Sequence, residues 1–147
     1  HHVAAEVAQL AFAAAPGRIV LVTDAVAAAG MPPGCYVLGD QPVVVEAGRP
    51  PVRDDGTLAG SGLRLDEAVA NAVALGVDVV TAVAAASRVP ADLLGRTDLG
   101  RIMPGAAADM VWLGDDLRAR ATWIGGKIVF RAGRAAAAAT NQGAPST

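Results

Sequence analysis

Apolar residues recur every three or four positions over residues 3–15, where Val3, Val7, Leu10 and Ala14 share one helical face and Glu6 and Gln9 lie off it. Pro16-Gly17 ends that pattern. Residues 18–23 are then apolar without alternation, which predicts a parallel strand buried on both faces. After Thr23-Asp24-Ala25 and a loop rich in Ala, Gly and Pro, residues 35–38 and 42–46 read as short strands. Residues 47–63 are dominated by turn formers, Asp54-Asp55-Gly56 being the clearest turn.

Two helices are predicted next. The first covers 65–75, with Asp66 and Glu67 at the positive end of its dipole and Gly76 just past its end. The second covers 78–87 with Asp78 as N-cap, and Arg88-Val89-Pro90 is expected to break it before one further turn at 91–94. From Leu99 onward the pattern changes to short strands at 108–113, 119–125 and 127–133, with Gly125-Gly126 as a hairpin turn. A boundary is therefore expected near residue 97, separating helical material from a small all-β part at 98–134. Residues 135–147 are low in complexity and read as a disordered tail.

Composition narrows the class of partner. The chain has 147 residues, 53% of them hydrophobic, which is incompatible with disorder throughout. Lys and Arg number 12 against 14 Asp and Glu, scattered along the chain, so no basic stripe is available for nucleic acid. No run reaches the length of a membrane span. The single cysteine, Cys35, excludes an internal disulfide and a thiolate zinc cluster, and a reducing, cytoplasmic compartment is the matching expectation.

Candidate chemistry is sparse. Asp24 directly follows the apolar run, at the end of a strand where α/β barrels carry their catalytic groups. A carboxylate there can serve as general base, as metal ligand or as both, or it can simply turn the chain. His1 and His2 are the only histidines; a start at His-His is expected of a purification-tag stump or of a piece of something longer. If the second, His2 and Asp24 can face one pocket, since helix, break and strand lead from one rim loop to the next. The loop Asp55–Ser61 contains two glycines that permit close backbone approach to a ligand, or it is an ordinary turn. No Walker or Rossmann glycine pattern occurs.

Three segments together resemble the amidohydrolase superfamily and, within it, the N-acetylglucosamine-6-phosphate deacetylase family. Leu-Val-Thr-Asp-Ala at 21–25, followed by Gly30, resembles that family's last barrel strand and its catalytic aspartate. Asp-Gly-Thr-Leu-Ala-Gly-Ser at 55–61 is similar to the loop that meets the substrate's acetyl group, and Leu99–Leu113 to the superfamily's late segment returning to a small β-domain. His1-His2 match the last two positions of a D-G-x-H loop.

The resemblance spans about residues 1–133 and implies an α/β fold. The implied fold is the C-terminal part of a metal-dependent hydrolase (β/α)8 TIM barrel (1–97), plus part of a small β-sandwich domain (98–134). It implies hydrolysis of an acetamide on an amino-sugar phosphate, with Asp24 catalytic. His1 and His2 would bind substrate, and Leu58, Ala59 and Gly60 would line the acetyl and sugar pocket. It also implies a divalent metal, Zn2+ or similar, whose Glu and His ligands belong to earlier strands and have no counterpart here. A homodimer is expected of the full-length protein, and this chain alone is expected to be an inactive fragment. The rivals are an amidohydrolase acting on a cyclic amide or purine, against which the 55–61 loop speaks, and a non-catalytic fragment.

Overall fold

The computed structural model describes residues 3–133. Helix α1 (Ala5–Ala14) is followed by a three-stranded antiparallel sheet of β1 (Gly34–Leu38), β2 (Gln41–Val45) and β3 (Val52–Arg53). Three helices follow, α2 (Leu65–Ala74), α3 (Val79–Ala85) and α4 (Arg88–Leu93). A second three-stranded antiparallel sheet, β4 (Met110–Leu113), β5 (Ala119–Ile124) and β6 (Lys127–Arg131), completes the described chain. His1, His2 and the expected tail at 135–147 lie outside the described residues.

Local chemistry accounts for most of these elements. Asp78 caps α3 by accepting the Thr81 amide at 3.0 Å. The Arg64 amide donates to Glu67 at 3.1 Å, closing the first turn of α2. Ile124 faces Lys127 across Gly125 and Gly126, whose φ values of +55° and +77° are those of a type I′ turn, a conformation that favours glycine at both places.

The core is small because its side chains are small. Val69, Ala72 and Ala82 are its buried centre, with Phe12, Leu21, Val73, Val77 and Ala86 packed around them. Alanine on facing turns lets α2 and α3 approach closely, and each pair of alanines removes little apolar area from water. The Gln9 side chain ties α1 to the end of α2 by donating to the Leu75 carbonyl at 2.8 Å.

Three expectations are corrected. The inward side of α1 carries Ala8, Ala11, Phe12 and Ala15, while Val3, Val7 and Leu10 are exposed. The predicted stripe had the right period and the wrong face, because Phe12 offers more area to the α2–α3 core than the valines do. Residues 18–23 join no ladder; they are tied to the rest by Leu21, whose amide donates to the Ala85 carbonyl at 2.9 Å, and by the Thr23 carbonyl, which accepts the Ser61 hydroxyl. A doubly buried parallel strand needs a neighbour on each edge, and the described residues give it one parallel bridge only, Ala25 to Ser61. Arg88-Val89-Pro90 does not end helical structure but opens α4. Pro90 lies in the first turn of α4, where its missing N–H needs no partner.

The second sheet starts at Met110, and residues 98–109 before it are turn and coil. Its attachment to the helices is polar. One Asp66 oxygen accepts the Ala119 amide at 3.0 Å, and Arg118 forms an ion pair with Glu67 at 3.0 Å without hydrogen-bond alignment. Beside these contacts a cleft of about 590 Å³ separates Val69, Val83 and Ala86 from Val111, Leu113 and Phe130.

Candidate active site

Two chain segments meet at Asp24. The first is the turn after the apolar run. Asp24 is exposed and has φ +50°, a left-handed conformation that is uncommon outside glycine and that aspartate tolerates better than most residues. The Ala25 amide donates to the Thr23 hydroxyl at 3.3 Å inside this turn. Non-glycine residues held in such a conformation cluster where function requires a set direction of the side chain.

The second segment is the loop 55–61, and its shape follows from its residues. Asp55 accepts the Thr57 amide at 2.9 Å, and this bond holds the Asp55 carboxyl below the usual carboxylate range. Arg53 donates to the Thr57 carbonyl at 2.8 Å, so the turn doubles the chain back and pairs Leu58 with Val52. The Ala59 amide then donates to the Pro51 carbonyl at 2.9 Å. Leu58 is left 39% exposed, an apolar side chain free to meet a ligand.

The junction of the two is tight. A Cβ on Gly60 would lie 2.6 Å from Val26 Cγ1, 2.9 Å from the Asp24 carbonyl oxygen and 3.7 Å from Asp24 Oδ2. With φ +113°, Gly60 occupies backbone space that no other residue fills without displacement. The Ser61 amide donates to the Asp24 carbonyl at 2.8 Å, and Val26 donates to the Ser61 carbonyl at 3.2 Å. The structure thus brings Asp24 together with Gly60, the end of the Leu58–Gly60 stretch. His1 and His2 lie outside the described residues.

Ser61 and Thr23 were not singled out as site residues. The signal for each was its place in a motif, Ser61 as the last residue of 55–61 and Thr23 as the residue before Asp24 in 21–25. A cleft of about 380 Å³ adjoins this junction, lined by Ala28, Met31, Glu46, Arg49 and Ser61 among others, but not by Asp24.

Among the described residues no three His, Cys, Asp or Glu side chains come together as a set that could hold a metal ion. Asp24 is the one carboxylate at the junction, so the residues described do not by themselves make up a metal site. Also among the described residues, no helix is long and apolar enough to cross a membrane.

Comparison with known proteins supplies the family of the chain. The Amidohydrolase family model matches residues 14–129. A relative from Escherichia coli K12 is 43% identical over 131 residues, covering 87% of this chain and 77% of its own length. The N-acetylgalactosamine-6-phosphate deacetylase of Escherichia coli O157:H7 is also 43% identical over 131 residues; there the chain spans 34% of the relative. Among solved structures, N-acetylglucosamine-6-phosphate deacetylase from Thermotoga maritima superposes with a TM-score of 0.79 at 39% identity, covering 88% of this chain and 36% of that one. The chain therefore spans about a third of the length of the last two.

Proposed function

This chain belongs to the amidohydrolase family, and from that premise we propose that it forms part of a hydrolase that deacetylates N-acetylglucosamine 6-phosphate, giving glucosamine 6-phosphate and acetate. The observation that carries the reading is the junction itself. Asp24, held at φ +50°, is pressed against Gly60, at the end of the 55–61 loop. That loop is the segment whose residues speak for an acetylated amino sugar rather than a cyclic amide or purine.

In this reading residues 18–25 are the last strand and rim of a (β/α)8 barrel, and β4–β6 are part of a small β-sandwich. The Thermotoga likeness, with about a third of that structure covered, supports the assignment. The remaining barrel strands, and the Glu and His ligands of a divalent metal such as Zn2+, lie outside this chain. The steps assigned here are those of Asp24. Its carboxylate accepts a proton from the water that attacks the acetyl carbon, forming the tetrahedral intermediate. As the C–N bond breaks, the same group returns the proton to the nitrogen, which is too basic to leave as an anion. The products are the free amine and acetate. Leu58, Ala59 and Gly60 line the acetyl and sugar pocket, and His1 and His2 contact the phosphorylated sugar. A homodimer and a cytoplasmic location complete the proposal, the latter supported by the single cysteine.

The test is release of acetate and primary amine from N-acetylglucosamine 6-phosphate and from its galacto epimer. The full-length gene product should turn over the gluco substrate, and the 147-residue chain alone should not. A full-length protein inactive on both sugars but active on a cyclic amide would overturn the substrate assignment. Metal-dependent turnover by the 147-residue chain would overturn the placing of the ligands outside it.

A further inference from the structure

Ser61 makes four hydrogen bonds, and three of them go to the Asp24 turn. Its amide donates to the Asp24 carbonyl at 2.8 Å, its carbonyl accepts the Val26 amide at 3.2 Å, and its hydroxyl donates to the Thr23 carbonyl. The fourth runs from the Leu63 amide to the Ser61 hydroxyl at 2.9 Å. The peptide groups on both sides of Asp24 are therefore held by one residue of another segment. The hydroxyl's share is specific: it is donor to Thr23 and acceptor from Leu63 at once, a pairing that no apolar side chain reproduces.

We infer that Ser61 is a positioning residue for Asp24. Its hydroxyl anchors the Thr23 carbonyl, which sets the plane of the Thr23–Asp24 peptide and with it the direction in which Asp24 leaves the left-handed turn. Asp24 is exposed, so burial does not hold its side chain; the backbone beneath it has to. A proton acceptor acts only within hydrogen-bond reach of the water it serves, and a displacement near 1 Å can lower a rate by about 10²-fold. Ser61 touches no reacting atom in this scheme. Alanine at this place removes the Thr23 anchor and leaves the Leu63 N–H without its acceptor, while the two backbone bonds to Asp24 and Val26 remain.

The inference rests on the deacetylase reading, and the experiment keeps the two apart. Ser61→Ala and Ser61→Thr are made in the full-length protein, with kcat per folded molecule, KM and amide hydrogen exchange at Ala25 and Val26 recorded. S61A is expected to lower kcat about 10- to 100-fold with KM within about twofold and to speed exchange at both amides. S61T, which keeps the hydroxyl, is expected to recover most of kcat. An S61A protein with wild-type kcat per folded molecule overturns the inference, as does an S61T protein as slow as S61A. If the wild-type protein turns over neither sugar phosphate, the deacetylase reading falls instead. The exchange data then decide alone: wild-type exchange at Ala25 and Val26 in S61A overturns the anchoring as well.

Discussion

The backbone of Gly60 passes so close to Asp24 that a Cβ there would stand 2.9 Å from the Asp24 carbonyl oxygen. Real Cβ atoms do not approach backbone oxygen that closely, and the neighbour cannot rotate away as a side chain tip would. The same added atom would meet Val26 Cγ1 at 2.6 Å. Glycine at position 60 is thus a packing requirement of the Asp24 turn, in addition to its φ of +113°.

Gly60→Ala is therefore expected to destabilise the full-length protein by about 1–3 kcal/mol, the range for forcing extra carbon into a packed place. Because the atoms that must yield belong to Asp24 and Val26, kcat should fall as well. Chemical denaturation and steady-state kinetics on the same preparation check this. A G60A protein with wild-type midpoint and wild-type kcat would show that the turn is not held from below.

Asp24→Asn in the full-length protein should lower kcat by about 10²–10⁴, the usual worth of general acid–base help, and should leave KM largely unchanged. Asparagine keeps the shape and a hydrogen bond but accepts no proton from water. His2→Ala should instead raise KM for the phosphorylated sugar. More than about a tenth of wild-type kcat remaining in D24N lies outside the range for a general base and returns Asp24 to a turn residue.

Asp66 predicts an acid-labile joint. Its side chain is 8% exposed and is bound by the Arg64 guanidinium at 2.6 Å and the Ala119 amide at 3.0 Å. Burial is the largest single influence and pushes the carboxyl up. The Ala119 amide and the Arg64 guanidinium together outweigh it and hold the group below its ordinary value. Arg118 and Glu67 stand beside it as a second ion pair. A folded value below the unfolded one means that the stabilisation is present above the unfolded value and is lost as pH falls through the folded one. Asp66→Ala should cost about 1–3 kcal/mol at neutral pH, since it leaves the Ala119 N–H without its acceptor. In Asp66→Asn the decline in stability from about pH 5 to pH 2 should be shallower than in wild type. Denaturation curves across that range, followed by Trp112 and Trp123 fluorescence, measure both, and an equally steep decline in D66N would remove Asp66 from the account.

The 147-residue chain by itself should be loosely packed. Leu10 is 68% exposed and Leu94 77%, and the edges of residues 18–23 are unpaired apart from the bonds at Leu21 and Thr23. Exposed apolar side chains beside unpaired backbone favour association over a tightly packed monomer. Binding of a hydrophobic dye and a broad melting curve are expected. A sharp cooperative melt of a monomer without dye binding would contradict the expectation.

The short strands β1, β2 and β4–β6, the N-cap at Asp78 and the Gly125-Gly126 turn were all legible in the sequence, because each depends on neighbours within a few residues. So was the period of α1, since spacing along one helix is a local property. Which face of α1 turns inward was not legible: that depends on Phe12 packing against the cluster of Val69, Ala72 and Ala82, residues far along the chain. Arg88-Val89-Pro90 misled for a related reason, as proline breaks a helix interior but suits a first turn, and only the placing of Ser87 just before α4 decides which of these Pro90 occupies. The candidate site divides in the same way. The residue types at Asp24 and in 55–61 and their motif spacing belong to the sequence. That Gly60 and Ser61 close directly beneath Asp24, with Ser61 anchoring Thr23, was decided by tertiary structure, because hydrogen bonds between segments nearly forty residues apart leave no periodic mark in either one.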